Sequence, residues 1–487
     1  MARVPTTGQT VGSERTDEPR LLADLLADLP PAIDETAVLP RLQQAVRDTV
    51  VVVDDDPTGA QLARNACVLL DWDASELAET LATRGPLVFL LTNTRGLPQP
   101  QAEWLNEQVG RQLANLSTDA AFVTLSRSDS RLRGHYPAEL LALERGLGGA
   151  GGFDGHLLMP ALFEAGHATI GDVHWAATPA PGAASVLPIA HLPTWIEDRS
   201  HGRWPSGQVR SISLQVVREG PSAVCRALVE VQGGVPVIVN AATYGDLAQF
   251  TLGLLAAEEI GKRFVCRAAA SFVRLRAGQA AAPPLAPAAV VGATRMKRGP
   301  GPGPGPGPGP GLVVVGSSSP ASTAQLDALL GAQTLGSGQV QAIELDVRAL
   351  AEAADVSLGD RIEAALRAGE LPVVFTSREL VAGVSPEDRA AIGRRAISAL
   401  VAALGQVETR PRFVVVKGST TSHELARRGL AARRATVLGQ IQPGVPVWRL
   451  ESAGNRPARF PDLPYIVFPG DVDGPHALLQ VVASLSS

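Results

Sequence analysis

Cysteine is scarce in this chain. Three occur in 487 residues, Cys67, Cys225 and Cys266, far apart and with no C-x-x-C pair. So sparse and odd a set excludes a disulfide framework and a structural zinc site and fits a reducing compartment. Each reads as a small buried apolar side chain. Long apolar runs are also lacking: none approaches the roughly 18 residues of a spanning helix, so no membrane partner is expected. The first residues, MARVPTTGQTVGSERTDEP, are polar and contain no apolar core of a secretory signal, so the expected location is the cytoplasm. An excess of basic residues is missing too. Lys and Arg total 43 against 48 Asp and Glu, a formal net charge of −5, and no Lys/Arg run or aromatic-basic interleaving occurs. A nucleic-acid partner is therefore not expected, and an anionic ligand would need a local cationic pocket.

What is present is an ordinary globular composition, 45% hydrophobic and 19% charged, in a length that suits two or three domains. Residues 1–19 read as a disordered tail, followed by helical stretches near Pro19–Leu29 and Val38–Arg47. Unbroken β-branched runs then recur at Thr49–Val53, Leu87–Leu91, Ala121–Leu125, Val235–Val239, Leu312–Val315, Val373–Phe375 and Phe413–Val416. Such runs suit strands buried on both faces of a parallel sheet. Helical patterns lie between them, at Ala102–Asn115, Leu247–Ile260 and Glu387–Leu404, and the alternation predicts α/β layers. A strict Gly-Pro alternation, Gly299–Gly311, can form neither helix nor ladder and reads as an extended linker. It divides residues 49–298 from residues 312–487, with residues 1–48 as a tail and leading helices.

Chemistry-bearing residues gather where strands end. In VVVDDDPTGAQ a buried strand delivers Asp54, Asp55 and Asp56, then Thr58 and Gly59. Adjacent carboxylates repel and call for a cation, a basic ligand or a hydroxyl, and Gly59 permits close backbone approach. An acidic N-cap on the next helix, supplied by Asp56, is the plainer alternative. In TLSRSDSRLRGHY a second strand delivers Arg127, Asp129, Ser130, Arg131, Arg133 and Gly134. Arginine forks match carboxylate and phosphate oxygens, though a solvated loop of ion pairs would look alike. LMPALFEAGHATIGDVHW sets Glu164 and His167 among apolar residues, as a structural turn also would. VVVGSSSPAS brings a strand into Ser317 and Ser319 before a helix. FVVVKGSTTSHEL does the same with Lys417, Gly418, Ser419, Thr420, Thr421 and Ser422. Hydroxyls, backbone N–H groups and a lysine at a helix start make an anion cradle, with plain capping as the alternative. It is not a Walker A loop, because the lysine precedes the glycine. The late turn VFPGDVDG offers Gly470.

Together these segments, in this order, resemble the four-carbon acid sugar kinase family. The counterparts of its motifs are Asp55-Asp56-Pro57-Thr58-Gly59-Ala60, Asp129-Ser130-Arg131-Leu132-Arg133-Gly134, Pro160-Ala161 through Glu164-Ala165-Gly166-His167, Gly316-Ser317-Ser318-Ser319, Gly418-Ser419-Thr420-Thr421-Ser422 and Pro469-Gly470. Arg131 stands where that family usually has Thr, His167 where it has Arg, Ser419 where it has a second Gly, and Phe468 where many members have Lys. The resemblance implies two three-layer α/β/α domains with largely parallel sheets and an active site in the cleft between them. It implies an ATP-dependent kinase of a small anionic sugar acid, with Mg²⁺ accompanying the nucleotide.

On the matching positions Asp55, Asp56 and Asp129 are the catalytic candidates. Asp54, Thr58, Gly59, Ser130, Arg131, Arg133, Gly134 and Glu164 would face the substrate. Ser317, Ser319, Lys417, Gly418, Ser419, Thr420, Thr421, Ser422 and Gly470 would face ATP. Residues for the metal are not readable, and a homo-oligomer is left open. Arg133, aided by Arg131, would pair with the substrate's anionic end. An aspartate of the 54–56 cluster, or Asp129, would take the proton of the accepting hydroxyl. Two other readings stand beside this one. Asp54-x-Asp56-x-Thr58 after a strand resembles the haloacid-dehalogenase-type phosphatases, with Asp54 as nucleophile, although Gly470-Asp471-Val472-Asp473 has the wrong spacing for their later acidic motif. A relative that binds ligand without catalysis is the other.

Overall fold

The computed structural model describes residues 19–116, 121–148, 152–178, 185–292, 309–336, 338–351, 355, 357–378, 386–453, 456–470, 472 and 474–487. Most of the Gly-Pro alternation and the tail before Pro19 lie outside the described residues.

Valine runs form the strands, and alternate side chains enter different cores. Val50 and Val52 join one apolar cluster while Val51 and Val53 join another. Leu312 and Val314 likewise part from Val313 and Val315. Both faces of the sheet are therefore covered, which is why these strands read as unbroken apolar runs rather than alternating ones.

In the N-terminal half the parallel order is Arg210–Ile212, Val235–Val239, Gly155–Met159, Phe264–Ala268, Phe122–Arg127, Thr49–Asp54, Leu87–Leu91, Ala66–Leu69. In the C-terminal half Pro464–Phe468, Val414–Lys417, Leu312–Val315, Leu371–Thr376 and Gly338–Leu345 run parallel. The two halves are not separate sheets. A hairpin, Arg434–Gln442 and Val445–Glu451, pairs antiparallel with Ala66–Leu69 on one side and with Pro464–Phe468 on the other. One continuous sheet of 16 strands results. Ion pairs reinforce this seam: Arg433 reaches Asp71 at 2.7 Å and also Glu76. Beyond it, Leu285 N donates to Gln440 O at 2.7 Å and Val290 is buried in the C-terminal core.

Some elements differ from the sequence expectation. Of the stretch read as helix near Pro19–Leu29, Arg20–Leu21 is a strand paired with Ser185 and Val186, and the helix is confined to Leu22–Leu26. Its apolar residues, Leu22, Leu25, Leu26 and Leu29, cover a four-stranded antiparallel sheet built from Arg20–Leu21, Ser185–His191, Val173–Ala177 and His167–Ile170. The second helix runs Glu35–Ala45, started by Asp34, whose carboxylate accepts from Thr36 N at 2.8 Å. Among the described residues no helix is long and apolar enough to cross a membrane.

Candidate active site

Parallel strands share a direction, so their C-terminal ends collect on one edge, where open α/β sheets bind ligands. Thr49–Asp54 lies between Leu87–Leu91 and Phe122–Arg127. The three strand ends converge as one acidic and arginine-rich tip. Arg95 grips two carboxylates, donating to Asp55 Oδ1 at 2.7 Å and to Asp56 Oδ2 at 2.8 Å. Arg127, buried, sits 3.5 Å from both Asp54 Oδ1 and Asp55 Oδ1. Arg133 pairs through Nε with Asp129 Oδ2.

The carboxyls are consequently not alike. Burial, with the charges of Asp55 and Asp56, pushes Asp54 up to about 7 against the pull of Arg127. Asp56 is also buried, yet Arg95, Arg127 and the Thr58 hydroxyl hold it below the ordinary carboxylate range. Burial of Asp129 is outweighed in the same way by Arg133, Arg95 and Arg127, leaving it far below that range. Gly59 is required for this packing: a Cβ there would lie 2.0 Å from Asp54 Oδ2. Gly134, at φ +99°, is required too, since a Cβ would fall 3.1 Å from an Arg267 guanidinium nitrogen and 3.2 Å from Asp55 Oδ2.

A buried polar layer shapes the loops beneath. His174 is fully buried, and its Nε2 lies 2.7 Å from Ser130 O. A carbonyl only accepts, so Nε2 carries the proton and Nδ1 accepts from Thr169 Oγ1 at 3.2 Å. Burial lowers His174 to about 4, which keeps it neutral. Glu139, 2% exposed, accepts from Thr94 Oγ1 and from His135 N at 3.3 Å, with Arg267 at 3.7 Å. Tyr244 donates to Glu164, and its ring lies 3.9 Å below the Arg274 guanidinium.

The C-terminal half offers a second tip. Strand Val414–Lys417 ends at Gly418, and the helix Ser419–Glu424 starts at once. Beside it, strand Leu312–Val315 leads through Gly316 and Ser317 to a helix, Pro320–Leu330, capped by Ser319. Within this loop and helix start a hydroxyl relay runs from Ser319 Oγ to Ser322 Oγ and from Ser322 Oγ to Ser317 Oγ, both 2.9 Å. Arg378 donates to Ser317 O at 2.5 Å and to Val315 O at 3.1 Å, which fixes the loop from outside.

Both tips line one cleft of about 1370 Å³. Of the residues singled out in the sequence, Asp56, Thr58, Asp129, Ser130, Arg131, Arg133 and Glu164 line its acidic side. Ser317, Ser319, Gly418, Ser419, Thr420, Thr421 and Gly470 line its hydroxyl-rich side. The tips approach closely: a Cβ on Gly96 would sit 3.6 Å from Thr420 Oγ1.

Six expected residues do not line the cleft. Asp54, Asp55 and Gly59 lie beneath the surface, and half-buried Gly134 packs on Asp55 as described. Lys417 is fully buried, donating to Pro469 O at 2.9 Å with its ammonium 4.6 Å from the centre of the Phe468 ring, so it braces the late glycine turn. Ser422 is buried with its hydroxyl 2.8 Å from Gly418 O and 3.0 Å from Val416 O. Asp54 as the exposed nucleophile of a phosphatase finds no support in this burial, and Asp471 and Asp473 lie outside the described residues. Arg95 is the main residue that sequence reading missed. Its signal was a third strand end, Leu91-Thr92-Asn93-Thr94-Arg95-Gly96, of the same design as the two singled out.

The family model described as a sugar-binding N-terminal domain matches residues 50–276, and that of a nucleotide-binding C-terminal domain matches residues 312–478. The chain belongs to the four-carbon acid sugar kinase family. Its fold is that of solved relatives. A Haemophilus influenzae protein of the DUF1537 family superposes with a TM-score of 0.53 at 14% identity, covering 90% of this chain and 100% of its own. A Salmonella typhimurium LT2 protein gives 0.58 at 15% identity, covering 89% and 98%. A search of curated proteins returned no match. In this family member the acidic tip belongs to the sugar-binding domain and the hydroxyl-rich tip to the nucleotide-binding domain.

Proposed function

We propose that this protein phosphorylates a hydroxyl of a small sugar acid at the expense of ATP. The supporting observation is the single cleft shared by an arginine-lined acidic tip on the sugar-binding domain and a hydroxyl-lined helix start on the nucleotide-binding domain. Phosphoryl transfer asks mainly for positioning and charge neutralisation, and those two surfaces supply them. Backbone N–H groups and hydroxyls of Ser317 and Ser419–Thr421 would hold the phosphates. Arg131 and Arg133 would hold the sugar acid's carboxylate. Asp129, at the cleft surface, would take the hydroxyl proton, a task that the more deeply set Asp54 and Asp55 are worse placed for. Among the described residues no cluster of three His, Cys, Asp or Glu side chains is placed to hold a metal. Mg²⁺ accompanying the nucleotide would neutralise the triphosphate.

The test is an ADP-release screen over four-carbon and related sugar acids with Mg²⁺. Turnover that depends on one acid and drops by a factor of ~10² or more in Asp129→Asn is the expected result, in the range of general acid–base contributions. ATP binding without turnover across the panel, or full activity in folded Asp129→Asn, refutes it.

A further inference from the structure

This inference rests on the kinase reading and concerns how the same site chooses its substrate. The carboxylates of the acidic tip differ in the cations that hold them. Asp55 and Asp56 are held by Arg95, whose side chain is 17% exposed, and Asp54 and Asp55 by Arg127, 4% exposed. Neither guanidinium can leave without exposing a buried charge. Asp129 is different: its own side chain is 8% exposed, but its partner Arg133 is 51% exposed. Arg133 and Arg131 line the cleft where an incoming anion would meet them.

We propose that Arg133 is a latch on Asp129 which the substrate's own carboxylate releases. The substrate carboxylate takes the Arg133 guanidinium, and Asp129 is thereby freed to accept the proton. The balance of the step is simple. The hydroxyl oxygen attacks the γ-phosphorus, the bond from that phosphorus to the β–γ bridging oxygen breaks, ADP leaves with the electron pair, and the hydroxyl proton passes to Asp129. Among the described residues the cations that lower Asp129 are Arg133 from its own loop, Arg95 from beyond strand Leu87–Leu91 and Arg127 from strand Phe122–Arg127, with the Asp54–Asp56 carboxylates on Arg95 and Arg127 and neutral His174 behind. Arg133, 51% exposed and lining the cleft, is the partner of Asp129 that an incoming anion can reach and draw off. Charge selection then falls on kcat as well as on KM, because a neutral sugar leaves the latch shut. Arg133 acts as a positioning residue in this scheme, and Asp129 as the catalytic one.

The experiment compares threonate with its neutral counterpart threitol in wild type, Arg133→Gln and Arg133→Lys, with Asp129→Asn as control. Arg133→Gln should raise KM for threonate, raise kcat for threitol about tenfold and shift the acid limb of the kcat profile upward, while Arg133→Lys restores the preference for the acid. An unchanged threitol kcat with an unchanged acid limb overturns the latch and leaves Arg133 as a binding residue alone. A readout without turnover separates this failure from failure of the kinase reading. The ¹³C-carboxyl signal absent from Asp129→Asn should titrate at higher pH in Arg133→Gln, and in wild type saturated with threonate. A midpoint that stays in place in either case overturns the latch, whether or not ATP is consumed.

Discussion

Replacing Arg95 by Met would remove the cation that grips both Asp55 and Asp56 within 2.8 Å while keeping the bulk of the side chain. Those two carboxylates have side chains 5% exposed, so water can do little to screen them. Two unit charges 4 Å apart interact by about 4 kcal/mol at an effective dielectric constant of 20. Removing one partner of a buried pair costs about 3–5 kcal/mol. Both routes put the loss near 4 kcal/mol at neutral pH, with Arg127 as the remaining cation of the cluster. The pH dependence carries the sharper test. In wild type the Asp56 carboxyl lies below its ordinary value, so its stabilisation is present above the unfolded pKa and is lost as pH falls through the folded one. Without Arg95, burial lifts the folded Asp56 carboxyl above the unfolded value of about 4. The variant then loses stability as pH rises from there. The gap between the two proteins should be widest near pH 8 and narrow steadily toward pH 4. Urea midpoints followed by circular dichroism at pH 8, 6 and 4.5 measure it. A gap that is negligible at pH 8, or that fails to shrink on acidification, would refute the reasoning. Arg95→Lys should fall between, since an ammonium cannot fork to two carboxylates.

Three further outcomes are expected. Asp54→Asn should stabilise the protein at pH 8: a carboxyl raised to about 7 in the folded state destabilises progressively as pH climbs from the unfolded value and reaches its full penalty above 7. Thermal unfolding should show that gain vanishing below pH 4. Gly59→Ala, with its methyl 2.0 Å from Asp54 Oδ2, should cost about 1–3 kcal/mol by overpacking and lower the melting temperature, whereas Gly148→Ala, with no atom within 4 Å of the new methyl but φ +105°, tests strain alone. Ser319→Ala removes the acceptor of Ser322 N and should cost about 1 kcal/mol. It should also weaken ATP binding in calorimetry, because the relay to Ser317 is broken.

The valine-rich strands were legible because each is buried on both faces: Leu87–Leu91, Val235–Val239 and Leu312–Val315 are observed with the bounds their apolar runs suggest. Strands that carry a polar or unbranched residue into the core were not. Gly155–Met159 contains a buried histidine paired with Glu144 on the preceding helix, and Phe264–Ala268 a buried arginine 3.7 Å from Glu139, distant in sequence. The bridging hairpin was missed for another reason. RATVLGQIQ alternates buried with half-buried residues, and only the position of Ala66–Leu69 makes it a sheet continuation rather than a surface ribbon. Within the site, residue types at strand ends marked both tips, but not which side chains reach the surface. Lys417 looked like a phosphate ligand because lysine seldom sits at zero exposure; its contact with Pro469 O lies 52 residues away in sequence.

The shared ladder across the two halves has a practical consequence for dissecting this protein. Expressed alone, the first half would present Ala66–Leu69 and the second half Arg434–Gln442 as bare sheet margins, each inviting self-association. Expressed together as two polypeptides severed within the Gly-Pro repeat, they have every hydrogen-bonding partner they need to reassemble. Split-protein complementation, rather than study of isolated domains, is thus the natural way to take this molecule apart.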